Sequence, residues 1–96
     1  MFPYTIEEKK EVLNRFFVSE KPLVMKKYPK SFKKRYLALL WIAEAIEANR
    51  DYTEQEINEL LSPIYHDYVL IRRELFDYKL IHRLIDGSKY WREVSK

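Results

Sequence analysis

The 96-residue chain contains no cysteine and a single glycine, Gly87. Without cysteine there is no disulfide frame, no thiolate nucleophile and no cysteine-ligated zinc. With one glycine there is no glycine-rich phosphate loop and no Gly-x-Ser-x-Gly nucleophile elbow. The two histidines, His66 and His82, stand in no His-x-x-x-His or Glu-x-x-His spacing, so neither a metal site nor a cofactor is expected. These gaps argue against an enzyme. The longest apolar run, residues 36–43, is far short of the ~20 residues that span a bilayer. The first ten residues are polar and lack a signal peptide's apolar stretch, so no membrane association and a cytoplasmic location are expected.

What remains is a chain 47% hydrophobic and 34% charged, the balance of one folded domain with a small core. Eight tyrosines need partners for their hydroxyls, which places many of them at the core's edge or in an interface. Net charge is +3 but uneven: residues 21–35 sum to +7 without an acid, residues 36–59 to −5, and the tail 79–96 to +3.

Thr5-Ile6-Glu7-Glu8 has the form of a capping box and predicts a helix to about Phe17, with Ile6, Leu13, Phe16 and Phe17 on its inward side. Ser19 to Pro22 break it. Residues 1–22 read as an N-terminal helical extension and 23–96 as the main domain. Leu23-Val24-Met25 reads equally as a short strand or an apolar tether. Lys26 to Arg35 is a basic block interrupted by Tyr28, Pro29 and Phe32. Cations at a helix start oppose the macrodipole, so the block points to an anionic partner, with Lys30, Lys33, Lys34 and Arg35 as phosphate contacts.

A helix from about Phe32 to Ala48 follows, apolar all round in its middle. It must be covered on more than one side, by the N-terminal helix, by the C-terminal half or by a second subunit. Trp41 is assigned to core or interface. Residues 50–52 suit a small strand. Thr53 and Glu56 form a second capping box, with Ile57, Leu60, Leu61 and Ile64 as the buried face and Ser62-Pro63 as the stop. The next helix, about 66–78, turns Tyr68, Ile71, Leu75 and Tyr78 inward, leaves Asp67, Leu70, Arg73, Glu74 and Asp77 outward, and puts Val69, Arg72 and Phe76 on the flanks. Arg72 and Arg73 have Asp67, Glu74 and Asp77 within reach as ion-pair partners on that helix. Residues 80–94 read as a hairpin about Asp86-Gly87. A two-residue type I′ turn there sets His82 opposite Trp91, packed edge-on, Arg83 opposite Tyr90 and Ile81 opposite Arg92, whereas a three-residue Asp-Gly-Ser loop shifts these pairs.

The expected fold is thus mainly α with a small β-hairpin: a winged helix-turn-helix with an extra N-terminal helix. Read as a double-stranded DNA binder and transcription regulator, it places the helix at 66–78 in the major groove, with Arg73 and Arg72 toward bases. The wing at 79–94 then adds Arg83, Lys89 and Arg92. Three acids on the reading helix oppose this, and Trp41, Val69, Leu70 and Phe76 suit an interface to a second copy or another protein. The alternative is therefore a protein-interaction or dimerisation module on the same fold.

Residues 23–92 carry a resemblance. Pro29 with the basic run to Arg35, Tyr52-Thr53-Glu54-x-Glu56-Ile57-Asn58-Glu59, Asp67-Tyr68-x-x-x-Arg72-Arg73-x-Leu75-x-Asp77-Tyr78 and Asp86-Gly87-Ser88-x-Tyr90-Trp91-Arg92 together resemble a bacterial family catalogued as domain of unknown function 2087. It occurs alone or behind ArsR-type regulators. The resemblance implies a winged-helix-like domain in a gene-regulatory setting and no activity. Lys79 stands where that family usually has glycine, at an expected left-handed helix end, and Val69-Leu70 replace a small or polar pair.

Overall fold

The computed structural model describes residues 2–94. Helix α1 (Ile6–Phe16) opens on the expected capping box: Glu8 N–H donates to Thr5 Oγ1 at 3.1 Å and Thr5 N–H to Glu8 Oε1 at 2.9 Å. Its inward side is Val12 and Phe16, with Leu13 half-buried, whereas Ile6 is 61% exposed. Ile6 sits in the first turn, beyond the part of α1 that lies on the core, so its helical phase alone does not bury it. The chain then enters strand β1 (Phe17–Glu20), paired antiparallel with β2 (Leu23–Met25). This makes Leu23–Met25 a strand, and the boundary expected at residue 22 falls in the turn between the two. Met25 N–H donates to the Ile64 carbonyl at 2.8 Å and Lys26 N–H to that of Phe16 at 2.9 Å, so the hairpin is tied on both sides.

Helix α2 (Phe32–Ala43) is capped by Ser31, whose Oγ accepts from Lys34 N–H at 3.3 Å. It ends five residues before the expected Ala48. The cause is tertiary: Arg92 Nε donates to the Ile46 carbonyl at 2.8 Å, and Asn49 N–H, at φ 59°, donates to the Arg92 carbonyl at 2.7 Å. The C-terminal segment thus takes up backbone groups that a longer helix would have used. The apolar middle of α2 is covered from within the chain. Leu37, Ala38, Leu39, Ile42 and Ala43 are buried. On the α1 side, Trp41 Nε1 donates to the Lys9 carbonyl at 2.8 Å. Tyr36 stacks on Tyr78, ring centroids 6.3 Å apart.

Strand β3 (Asp51–Tyr52) leads into α3 (Glu54–Leu61) through the second capping box, with Thr53 and Glu56 bonded at 3.1 and 2.8 Å. Ile57, Leu61 and Ile64 are buried as expected and Leu60 is half-buried. Helix α4 (Tyr68–Asp77) is capped by Asp67, which accepts from Leu70 N–H at 3.2 Å. His66 therefore precedes the cap. The helix ends on Lys79 in the left-handed region, φ 62°, as the resemblance implied.

Strands β4 (His82–Arg83) and β5 (Tyr90–Trp91) follow, and β3, β5 and β4 form an antiparallel sheet in that order. His82 faces Trp91 and Arg83 faces Tyr90, as expected. The pair Ile81–Arg92 is not made, because Ile81 is buried with its N–H on the Leu75 carbonyl at 3.3 Å while Arg92 serves residues 46–49. The turn also differs from type I′. Leu84 N–H donates to the Lys89 carbonyl and Gly87 N–H to the Leu84 carbonyl, closing a four-residue loop in which only Gly87 has positive φ, +75°. The fold is a small α+β arrangement: a single core drawing on every helix, beside two small sheets.

Candidate nucleic-acid interface

The nine cations assigned to nucleic acid divide into two groups. Six are committed within the protein. Lys33 Nζ is 2.7 Å from Glu8 and ties α2 to α1; this bond, ahead of the capping contacts, holds the Glu8 carboxyl below the usual carboxylate range. Arg35 Nε donates to the Pro29 carbonyl at 2.8 Å and its guanidinium lies 5.3 Å from the Tyr28 ring. Lys89 is 3.4 Å from Asp51 across the sheet. Arg92 serves the turn after α2. Arg83 lies 4.9 Å over the Phe76 ring and donates to the Ile85 carbonyl at 3.2 Å, bracing the hairpin loop.

Arg72 is the most deeply engaged. Its Nη2 is 3.2 Å from Glu54, its Nη1 donates to Asn58, and its guanidinium lies 5.9 Å from the Tyr90 ring. Partners on its own helix were expected; instead α3 supplies them. Glu74 is taken by Tyr28, whose hydroxyl donates to it at 3.1 Å. Burial, then the Glu74 charge, pushes the Tyr28 hydroxyl far above its ordinary value. Lys30, Lys34 and Arg73 have no ion pair among the described residues. Arg73 stands exposed on α4 beside Asp77.

The interface candidates also divide. Trp41 is half-buried beneath Lys9, whose ammonium sits 4.3 Å over its ring, so it serves the α1–α2 contact. Leu70, expected outward, is half-buried. Val69 and Phe76 are 42% and 39% exposed. His82 stacks on Trp91, interplanar angle 30°, rather than meeting it edge-on. The loop tip exposes Ile85 almost wholly.

A cleft of about 460 Å³ opens between the start of α3, α4 and the β4–β5 hairpin. Arg72, Arg73, Arg83 and Tyr90 line it together with Glu54 and Asp77. Sequence reasoning selected the three arginines but missed Glu54 and Asn58 as partners of Arg72, and Tyr28 as the partner of Glu74. Only the i, i+4 spacing of Glu54 and Asn58 hinted that one face of α3 was reserved for a common partner. Among the described residues, no group of three or more His, Asp or Glu side chains is placed to hold a metal ion, and no helix is long and apolar enough to cross a membrane.

The family model described as "Uncharacterized protein conserved in bacteria (DUF2087)" matches residues 24–92. The chain belongs to this family. No curated protein and no solved structure matches it.

Proposed function

We propose that this member of the family is a winged-helix DNA-binding module of a transcription regulator, acting by binding rather than catalysis. The observation that carries the reading is the element order. α2, β3, α3, α4, β4 and β5, with β3 and β4 flanking β5, is the order in which a winged helix presents its second helix-turn-helix helix beside a hairpin. In this reading α4 enters the major groove, with Arg73 its base contact. Lys30 and Lys34 hold phosphates, joined by the exposed Lys26 and Lys27. Lys33, Arg35, Arg72 and Arg92 position the surface instead of touching DNA.

Fluorescence anisotropy with a labelled random duplex tests this. Binding at about 50 mM salt should weaken steeply as salt rises. Lys30→Ala with Lys34→Ala should flatten the log–log slope by up to roughly 0.9 for each phosphate that is no longer neutralised. No binding at the lower salt would remove the proposal.

A second reading, a protein-contact module on the same fold, is favoured by two observations: the internal commitment of six cations, and the exposure of Val69 and Phe76 on α4. Under it, Val69→Glu converts a dimer to a monomer in light scattering, or abolishes capture of a partner, with the melting curve unchanged. An unaltered mass and unaltered partners would count against it.

A further inference from the structure

We infer that the cleft between α4 and the β4–β5 hairpin is a seat for a single phosphate group, held by Arg73 and Arg83 with the Tyr90 hydroxyl. The proposal goes beyond duplex binding, because the same seat accepts a free phosphate or one in a nucleic-acid backbone.

The charges around the cleft are not equally available. Glu54 is engaged by Arg72 at 3.2 Å. Asp86, also on the wall, accepts from Ser88 N–H at 3.0 Å and from its hydroxyl at 2.7 Å, and those bonds hold its carboxyl below the usual range. Arg72 is spent on Glu54 and Asn58. Arg73 has neither ion pair nor hydrogen bond among the described residues. Arg83 uses Nη1 on loop carbonyls, which leaves its other N–H donors. Asp77 is the one opposing carboxylate on the wall without a partner there, and it lies on the exposed side of α4.

Tyr90 supplies the independent observation. The residue is buried, 5% exposed, and its hydroxyl makes no hydrogen bond among the described residues. The oxygen is not sealed in the core, since no fully enclosed side-chain oxygen among the described residues lacks a partner; the cleft is where it opens. Around Gly87, the point where a Cβ would stand is 3.8 Å from Arg83 Nη1, 3.8 Å from Glu54 Oε2 and 3.9 Å from the Tyr90 hydroxyl; the other oxygen of Glu54 is the one bound by Arg72. The glycine thus leaves room beside the Tyr90 hydroxyl and the Arg83 guanidinium, whose Nη2 and Nε are not used on the loop carbonyls. Two guanidinium groups and a hydroxyl around one concavity match the several acceptor oxygens of a phosphate.

The test is an NMR titration of the full chain with two probes in parallel, inorganic phosphate alone and a short random duplex. It is repeated in Arg73→Gln and Tyr90→Phe, with Lys10→Gln on α1 as a distant control and a melting curve for each variant. Saturable shifts of Arg73, Arg83 and Gly87 with inorganic phosphate, weakened about tenfold or more in Arg73→Gln and measurably in Tyr90→Phe, support a site for a free phosphate. The same dependence with the duplex alone supports a backbone phosphate in the seat. If neither probe responds to Arg73 and Tyr90, the proposal is overturned. A duplex that does not bind, beside phosphate that does, removes the DNA reading and leaves the seat standing.

Discussion

Arg72 on α4 reaches across to α3, its Nη2 3.2 Å from Glu54 and its Nη1 donating to Asn58. The Arg72 side chain is only 17% exposed and Glu54 is 51% exposed, so the bond ties the two helices together at the edge of the cleft. Arg72→Ala should lower unfolding free energy by about 1 kcal/mol, since Glu54 is half exposed and regains water when the guanidinium is removed. Arg72→Lys should restore only part, because an ammonium lacks the planar fork that spans both partners. Urea denaturation of the three proteins reads the difference; equal stability of all three would refute the role.

The two apolar ends of α1 should behave oppositely. Phe16 is buried at 7% exposure, whereas Ile6 is largely in solvent. Phe16→Ala should cost about 3–5 kcal/mol and Ile6→Ala less than about 0.5 kcal/mol. Denaturant midpoints measure both.

Lys79 holds φ 62° at the end of α4. Lys79→Gly should therefore raise stability, by about 0.5–1 kcal/mol, by removing the strain of a side chain in the left-handed region. Gly87→Ala should act in the other direction by about 1 kcal/mol, since φ is +75° there although a Cβ would meet nothing closer than 3.8 Å. Thermal melts of both variants compare the signs.

Stability should fall in alkali. The Tyr28 hydroxyl is raised far above the ordinary tyrosine value by burial and by Glu74, and Tyr78 is raised by the same two causes. Above about pH 10 the unfolded chain gives up protons that the folded chain keeps, so their contribution, complete at lower pH, is lost as pH rises. Tyrosine absorbance should show Tyr28 ionising only with unfolding, and Tyr28→Phe should flatten the decline. An unchanged alkaline profile in Tyr28→Phe would contradict this.

Local chemistry made much of the fold legible. Thr5 with Glu8 and Thr53 with Glu56 announce helix starts because each pair satisfies amides within three residues of itself. The hairpin register followed from Asp86-Gly87 and the alternation about it, although the loop proved longer than two residues, with Asp86 outside the left-handed region. The arginines of the cleft were also legible as candidates. Their partners were not, because an arginine on a helix offers the same pattern whether it pairs one turn away or with another element.

By itself the sequence determined which segments are helical, where they begin, the pairing of His82 and Arg83 with Trp91 and Tyr90, and the need to cover α2. Capping, periodicity and turn chemistry act over a few residues. The tertiary structure decided where α2 stops, by bringing Arg92 to Ile46 and Asn49. It paired Leu23–Met25 with β1, and it engaged Lys33, Arg35, Arg72 and Arg92 within the fold while leaving Arg73 exposed on the cleft. Apart from the local β1–β2 pairing and the Arg35 bond to Pro29, those outcomes depend on groups far apart in the chain, whose meeting is set by how the core packs.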